Sequence, residues 1–269
     1  EWYRKIQSKL QMKHKKSILP MLFAIGYCHK LQRYGLILSI DGISLDQIIK
    51  KQGKPFNVET SAFILMQSID CISYLHNMDI IHADIKYANL VLMENSNIGL
   101  IDFDSTVNYN ASSKNACNLD SDAFYPFRGT PLFASVDAQD RKLLTKRTDL
   151  ISLLFSVLYH MEKIGLPWHK KDDLSVMKEK KVKFLSSIHE YVKHINLPKE
   201  LLCIIEHIVG LKYHETPKYQ FIKKVLECWL KQIDVQLIQC GPKQIRFLQN
   251  LKSECYKEYK QNAETNETH

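Results

Sequence analysis

The sequence predicts an α+β fold, with a few short strands near the N-terminal side and a mostly helical remainder. Three observations carry this. Apolar runs of strand length lie at 18–27, 34–40, 90–92 and 98–101, set off by polar or turn-forming residues. From about 58 to 77 the apolar residues Ala62, Leu65, Met66, Ile69 and Ile72, with His76, recur near i, i+3, i+4 spacing, the mark of a helix with one buried face. The run TDLISLLFSVLYHM at 148–161 is apolar all round, which predicts a helix buried on every side.

Taken in order, residues 1–12 read as a helix with Trp2, Ile6 and Leu10 on one stripe. The chain opens on Glu1 and not on Met, which reads as a fragment. The runs at 18–27 and 34–40 predict paired strands. Residues 41–45, DGISL, lead into a short helix with Ser44 as its N-cap. His76, near the end of the following helix, reads as a helix-end residue and not a ligand. The runs 90–92 and 98–101 predict a tight hairpin that brings Asn89 and Asp102 to the same end. No glycine lies between Gly53 and Gly99, so the loop at 82–89 must be held by side-chain contacts. Residues 105–128 are polar and turn-rich, a loop length that in a compact domain points to function or mobility. Asp149, at the start of the all-round apolar helix, is then a buried carboxylate that needs donors. After Trp229, Pro242 opens a further helix with Ile245, Leu248, Leu251, Cys255 and Tyr259 along one side, and 260–269 read as disordered.

The length of 269 residues suits one large domain or two small lobes, and 45% hydrophobic residues can build a core. The net charge is +8 and the pI near 9.0, which fits anionic partners such as nucleotide, acidic proteins or chromatin. Lysine patches at 13–16 and 178–183 read as solvated faces. Seven cysteines, an odd number without a C-x-x-C pair, indicate reduced thiols and a cytoplasmic or nuclear setting, so the sequons at Asn110 and Asn266 carry little weight. No signal peptide is visible, and no apolar run approaches the roughly 18 residues needed to span a bilayer, so no membrane partner is expected. There is no internal repeat.

The chemistry is concentrated at 82–104, HADIKYANLVLMENSNIGLIDFD. Asp84, Lys86 and Asn89 stand in the order D-x-K-x-x-N, and Asp102-Phe103 follows the second apolar run. Phosphoryl transfer needs a carboxylate near the attacking hydroxyl, a cation for the phosphate charge and oxygen ligands for Mg²⁺. Asp84 suits the first task, Lys86 the second, and Asn89 with Asp102 the third, since Mg²⁺ takes few protein oxygens beside substrate phosphates. The alternative at the same place is Asp102-x-Asp104-x-Thr106, which fits the D-x-D-x-T motif of haloacid-dehalogenase-like phosphatases, with Asp102 as nucleophile. That reading needs a later acidic pair after a strand, and Asp172-Asp173 follows no strand-like run. A third reading makes these residues ordinary hairpin turns.

The segment resembles the protein-kinase catalytic loop and metal motif, H-R-D-x-K-x-x-N followed by D-F-G, here His82 to Asn89 and Asp102-Phe103-Asp104. The resemblance narrows with D-G-I-S-L at 41–45, G-T-P-L-F-A-S-V-D-A-Q at 129–139, K-R-T-D-L at 146–150, L-P-W at 166–168 and Y-H-E-T-P-K-Y at 213–219. Together they look like the casein kinase I superfamily, especially its vaccinia-related kinase branch. Ala83 in place of Arg and the segment Ser135-Val136-Asp137-Ala138 favour that branch. The similarity spans roughly residues 34 to 230. It implies a protein kinase-like fold: 1–41 as the remnant of an N-lobe, 42–230 as a mostly helical C-lobe, and 231–269 as a helical extension with a disordered tail.

The same resemblance implies ATP and Mg²⁺ as cofactors and protein Ser/Thr as acceptor. It implies support of the catalytic loop by His82 and Asp149, Leu38 as gatekeeper, 39–41 (Ser39 and Asp41 included) as hinge to the adenine, and Val91 and Ile101 as the apolar floor beneath it. The plain reading of Leu38, Val91 and Ile101 is core strand. Glu1 falls where the family's helix C offers a glutamate; the plain reading is an N-terminal surface residue. Casein kinase I proper usually has an Arg at the position of Leu132, so phosphate-directed substrate recognition is not implied. Three features depart from the pattern. There is no G-x-G-x-x-G loop and no V-A-I-K-like strand lysine, and Asp104 replaces the last Gly of D-F-G. The expectation is therefore a serine/threonine protein kinase with a truncated N-lobe, with a pseudokinase acting as a binding or scaffold module as the alternative.

Overall fold

The computed structural model describes residues 4, 19–20, 22–29, 32–38, 42–93, 97–109, 125–193, 195 and 197–237. Most of the helix expected over 1–12, the hinge residues Ser39 and Asp41, the polar run 110–124 and everything from 238 onward lie outside them.

In chain order the first elements are β1 (Leu22–Cys28), β2 (Arg33–Leu38), β3 (Gly42–Ser44), α1 (Leu45–Gln52) and α2 (Val58–His76). Next come β4 (Ile80–Ile81), β5 (Leu90–Met93), β6 (Ile98–Leu100) and β7 (Val107–Asn108). The remainder is helical: α3 (Val136–Gln139), α4 (Lys146–Tyr159), α5 (Leu174–Ser186), α6 (Ile188–Lys193), α7 (Lys199–Val209) and α8 (Tyr219–Leu237). All strand pairing is antiparallel, in three small sheets: β1–β2, β3–β5–β6 and β4–β7.

Local chemistry accounts for these boundaries. Ser44 caps α1 as expected: its Oγ accepts from the Gln47 amide at 3.3 Å, and Gln47 Oε1 accepts from the Ser44 amide at 3.2 Å. Gly53 ends that helix in the left-handed region, φ 68°. Asn57 Oδ1 accepts from the Thr60 amide at 2.8 Å and starts α2. The helix buries Ala62, Leu65, Ile69 and Ile72 as the spacing predicts, and also Ile64, Cys71 and Leu75. Its buried side is wider than one stripe because α4, α8 and β6 all pack on it.

The helix expected at 148–161 is α4. It starts two residues earlier, where the Thr148 hydroxyl accepts from the Thr145 amide at 3.0 Å. Every residue from Thr148 through Leu158 is buried, which is the all-round burial read from its sequence. One large core cluster joins α1, α2, α4, α5, α7 and α8, and within it Phe155 of α4 packs edge-on to Trp168, ring centroids 4.8 Å apart. A smaller cluster of Ile81, Ala83, Tyr109, Ala134, Ala138 and Leu144 sits beside it.

One sequence expectation is corrected here. The patch 178–183 is not uniformly a solvated face. Helix α5 buries Met177, Lys181 and Phe184, at i, i+4 and i+7, so Lys181 lies on the helix's inner stripe. Among the described residues no helix is long and apolar enough to cross a membrane.

Candidate active site

Strand β4 delivers the chain into the loop at 82–89, and the loop's entry is tied to α4. The Asp149 carboxylate is fully buried and receives two consecutive backbone amides, His82 N on Oδ2 and Ala83 N on Oδ1, each at 2.8 Å. His76 Nε2 lies 2.9 Å from the same Oδ2, and its Nδ1 lies 2.5 Å from the hydroxyl of Tyr219. Burial pushes the Tyr219 phenol up, which keeps its hydroxyl proton available to donate. A continuous chain of hydrogen bonds thus runs from α8 through the end of α2 to α4 and into the loop.

His82 is held from both ring nitrogens. Nε2 donates to the Ile101 carbonyl at 3.0 Å, and Nδ1 accepts from the Asp84 amide at 3.3 Å. Those partners fix the neutral tautomer protonated at Nε2. Burial agrees, lowering the imidazole's pKa, although the nearby carboxylate of Asp149 opposes it. His82 therefore ties the 82–89 loop to the end of β6 and carries no proton of its own to the site.

Beyond this anchor, three polar groups close into a triangle. Lys86 Nζ lies 2.7 Å from Asp84 Oδ2 and 2.8 Å from Thr130 Oγ, and the Thr130 hydroxyl donates to Asp84 Oδ1 at 2.8 Å. The side chains of Asp84 and Lys86 keep 11% and 21% of their surface exposed, so the pair is mostly but not wholly screened from solvent. Asn89 folds back on the loop: its Nδ2 donates to the Asp84 carbonyl at 2.9 Å, which leaves the amide oxygen as the free end. Thr130 lies in the G-T-P-L-F-A-S-V-D-A-Q segment at 129–139, but nothing in that pattern read on its own assigns it to Asp84. Gly129 before it, φ 95°, shows why the segment comes so close: a Cβ there would stand 2.5 Å from the Ala83 carbonyl oxygen.

The hairpin places Asn89 and Asp102 at one end, as expected. Leu90 pairs with Leu100, and the Ile101 amide donates to the Asn89 carbonyl at 3.0 Å. Asp102 is half-buried with φ 67°, and Asp104, which departs from the glycine of the motif, is exposed. Its charge therefore has access to water. Among the described residues no cluster of three or more His, Cys, Asp and Glu could hold a metal. One amide oxygen and one carboxylate are a donor set that fits Mg²⁺ sharing phosphate oxygens and water, and does not fit a zinc or calcium cage.

Of the residues expected around a nucleotide base, Leu38 ends β2 and is half-buried. Val91 is buried in mid-β5, but it stands outside the large core cluster that takes its neighbours Leu90 and Leu92. Ile101, just past β6, is half-buried. Alternation along β5 thus turns Val91 to the face opposite the core. Ser39, Asp41 and Glu1 lie outside the described residues.

Taken together, a helical body, a loop bearing Asp, Lys and Asn, and a buried helix carboxylate bracing that loop have the architecture of a protein kinase. The comparison with protein families agrees: the protein kinase domain matches residues 4–232. The chain belongs to the protein kinase domain family. It is similar to a probable casein kinase I homolog of Encephalitozoon cuniculi (strain GB-M1), 26% identical over 206 residues, covering 74% of this chain and 66% of that protein. It is also similar to a putative serine/threonine-protein kinase of Caenorhabditis elegans, 28% identical over 210 residues and covering 75% and 59% of the two chains. A probable serine/threonine-protein kinase of Dictyostelium discoideum is 27% identical over 223 residues, 80% of this chain and 43% of its own length. The chain thus spans between 43% and 66% of these relatives' lengths. Membership in this family sets aside the phosphatase reading of Asp102 and Asp104.

Proposed function

We propose that this protein is a serine/threonine protein kinase of casein kinase I type, nearest in character to the vaccinia-related branch. The observation that carries the reading is the closed triangle of Asp84, Lys86 and Thr130, with Asn89 folded over the same loop. Asp84 accepts the proton of the acceptor hydroxyl, and the hydrogen bond from Thr130 holds its carboxylate at a fixed rotation. Lys86 sits where charge grows on the transferring phosphoryl group and neutralises it. Asn89 and Asp102 would hold Mg²⁺, which when bound neutralises the nucleotide phosphates. Val91 and Ile101 would form the floor under the adenine of ATP, Leu38 its gatekeeper and 39–41 its hinge. The alternation that keeps Val91 out of the large core supports this. His82 and Asp149 hold the loop in register without touching substrate. The names of the relatives support Ser/Thr in a protein as acceptor. Ala83 and the capped turn at Ser135, whose Oγ accepts from the Ala138 amide at 3.1 Å, are the features that favour the vaccinia-related branch. The basic charge favours acidic or chromatin-bound partners in the cytoplasm or nucleus.

The test uses the full-length protein with Mg-ATP and a mixed panel of acidic and basic acceptor proteins. Labelled phosphate should reach Ser or Thr. Asp84→Asn should abolish transfer while leaving nucleotide affinity near the parent's, and Asp102→Asn should weaken Mg-ATP binding as well as transfer. A parent that binds Mg-ATP without transfer, or binds none, makes the protein a pseudokinase and overturns the proposal.

A further inference from the structure

Lys181 is the most unusual charge in the described part of the molecule. It lies in a lysine-rich stretch, yet its side chain is fully buried, 0% exposed. Its ammonium meets two carbonyl oxygens, Pro131 O and Ala134 O, both at 2.6 Å. It also stands 5.4 Å and 5.5 Å from the ring centroids of Phe155 and Trp168. Among the described residues no carboxylate pairs with it. A buried ammonium without a counter-charge is costly, and burial pushes this one down to about 7. Fold stability alone favours an apolar side chain at such a position, so the charge points to a task.

The task is visible in what the lysine holds. Trp168, beside it, donates from Nε1 to the Leu132 carbonyl at 2.9 Å. Inside the turn, the Thr130 carbonyl accepts from the Phe133 and Ala134 amides at 2.9 and 2.8 Å. The carbonyls of residues 130, 131, 132 and 134 are therefore all occupied, three of them by Lys181 and Trp168. The same turn presents the Thr130 hydroxyl to Asp84 at 2.8 Å, and its far end, Ala134, packs with Ala83 in the small cluster.

We infer that Lys181 is a positioning residue for phosphoryl transfer: with Trp168 it clamps the carbonyls of the 130–134 turn and so sets Thr130 against Asp84. This rests on the kinase reading for its catalytic consequence, while the clamp itself does not. A purely structural lysine would stabilise α5 against the core, and its loss would not act through Thr130.

The experiment compares the full-length parent with Lys181→Met, Thr130→Val and the double variant. Two readouts are taken well below each protein's melting temperature: amide hydrogen exchange, and kcat and KM for ATP. In Lys181→Met the amides of Phe133 and Ala134 should exchange at least tenfold faster, with those of α4 unchanged. Misplacement of Thr130 should lower kcat about 100-fold with KM for ATP held, the scale of loss that a shift of roughly 1 Å causes in an oriented site. Adding Lys181→Met to Thr130→Val should cost no further turnover, because the lysine acts through the threonine. Unchanged exchange at 133 and 134 overturns the clamp whether or not the protein transfers phosphate. Faster exchange with unchanged kcat, or losses that multiply in the double variant, overturns the positioning role. A parent without transfer defeats the kinase reading, and with it the catalytic consequence, while exchange still decides the clamp. If Lys181→Met does not fold, Lys181→Leu, which likewise removes the donors, is read by the same criteria.

Discussion

Replacing Asp149 with alanine tests the anchor on which the whole loop depends. The carboxylate is fully buried and collects His82 N and Ala83 N at 2.8 Å each and His76 Nε2 at 2.9 Å. Alanine removes all of these acceptors at once and leaves the buried donors without a partner. A buried donor left without a partner costs about 1–3 kcal/mol, so the two backbone amides alone predict a loss of roughly 2–6 kcal/mol. That is a large share of the about 5–15 kcal/mol of a whole domain. Asp149→Asn keeps one oxygen acceptor but turns an N–H toward the other amide, so it should lose much but not all of this. Urea denaturation supplies the stability difference as a shift in midpoint at constant slope. Hydrogen exchange should show the His82 and Ala83 amides opening first. A midpoint equal to the parent's, or equal losses for Ala and Asn with both amides still protected, would falsify the account of Asp149 as the anchor.

Three further outcomes follow from the same geometry. Leu154→Ala, in the middle of α4 and 1% exposed, should lower stability by about 2–5 kcal/mol by opening a cavity, read from the denaturation midpoint. Gly129→Ala combines φ 95° with a Cβ 2.5 Å from the Ala83 oxygen, so it should lose about 1–3 kcal/mol and detach Thr130 from Asp84, read by denaturation and by turnover. For Lys181, whose pKa falls from 10.5 to about 7 on folding, the native state sheds its proton first as pH rises, and the unfolded state keeps it. The burial cost is therefore fully present below pH 7 and is relieved above it, so parent stability minus that of Lys181→Met should rise with pH by up to about 1.4 kcal/mol per pH unit between roughly 7 and 10; a flat or falling difference contradicts this.

The sequence is readable where one physical rule acts alone. Helix α2 shows its helical period, α4 shows burial on every side, and Ser44 is the N-cap that DGISL predicts, with Gln47 completing a capping box that the structure adds. The hairpin of β5 and β6 follows from two apolar runs, and it brings Asn89 and Asp102 together as expected. Groups whose role depends on partners far along the chain are not legible in this way. His76 reads as a helix-end residue, and it does end α2, but it is buried between Asp149 and Tyr219, the latter 143 positions away. Helix α5 leaves no pattern because its inner stripe is Met177, Lys181 and Phe184: with a lysine at the centre, no apolar repeat shows. Thr130 is one polar residue in a turn, and only the fold brings it across 46 positions to Asp84.

The absence of glycine between Gly53 and Gly99 has a structural consequence that unites these findings. Asp79 and Ala83, inside that stretch, adopt positive φ of 56° and 68° without a glycine to ease it, and Asp102, three residues past Gly99, does so at 67°. A non-glycine residue in that region costs about 1–3 kcal/mol and persists only where its surroundings over-determine it. At Ala83 the surroundings are a charge-assisted hydrogen bond to Asp149, worth roughly 1.5–3 kcal/mol, and Gly129, whose missing Cβ lets the Ala83 carbonyl stay where it is. At Asp79 the carbonyl accepts the Tyr109 amide at 2.7 Å. The loop bearing Asp84 is therefore shaped by groups that lie outside it, on α4, in the turn after Gly129 and at the start of the polar run after β7. Substitutions in α4 or α5 that touch neither nucleotide nor acceptor should for that reason alter turnover, and the effect should be largest where their hydrogen bonds end on residues 82, 83, 131 or 134.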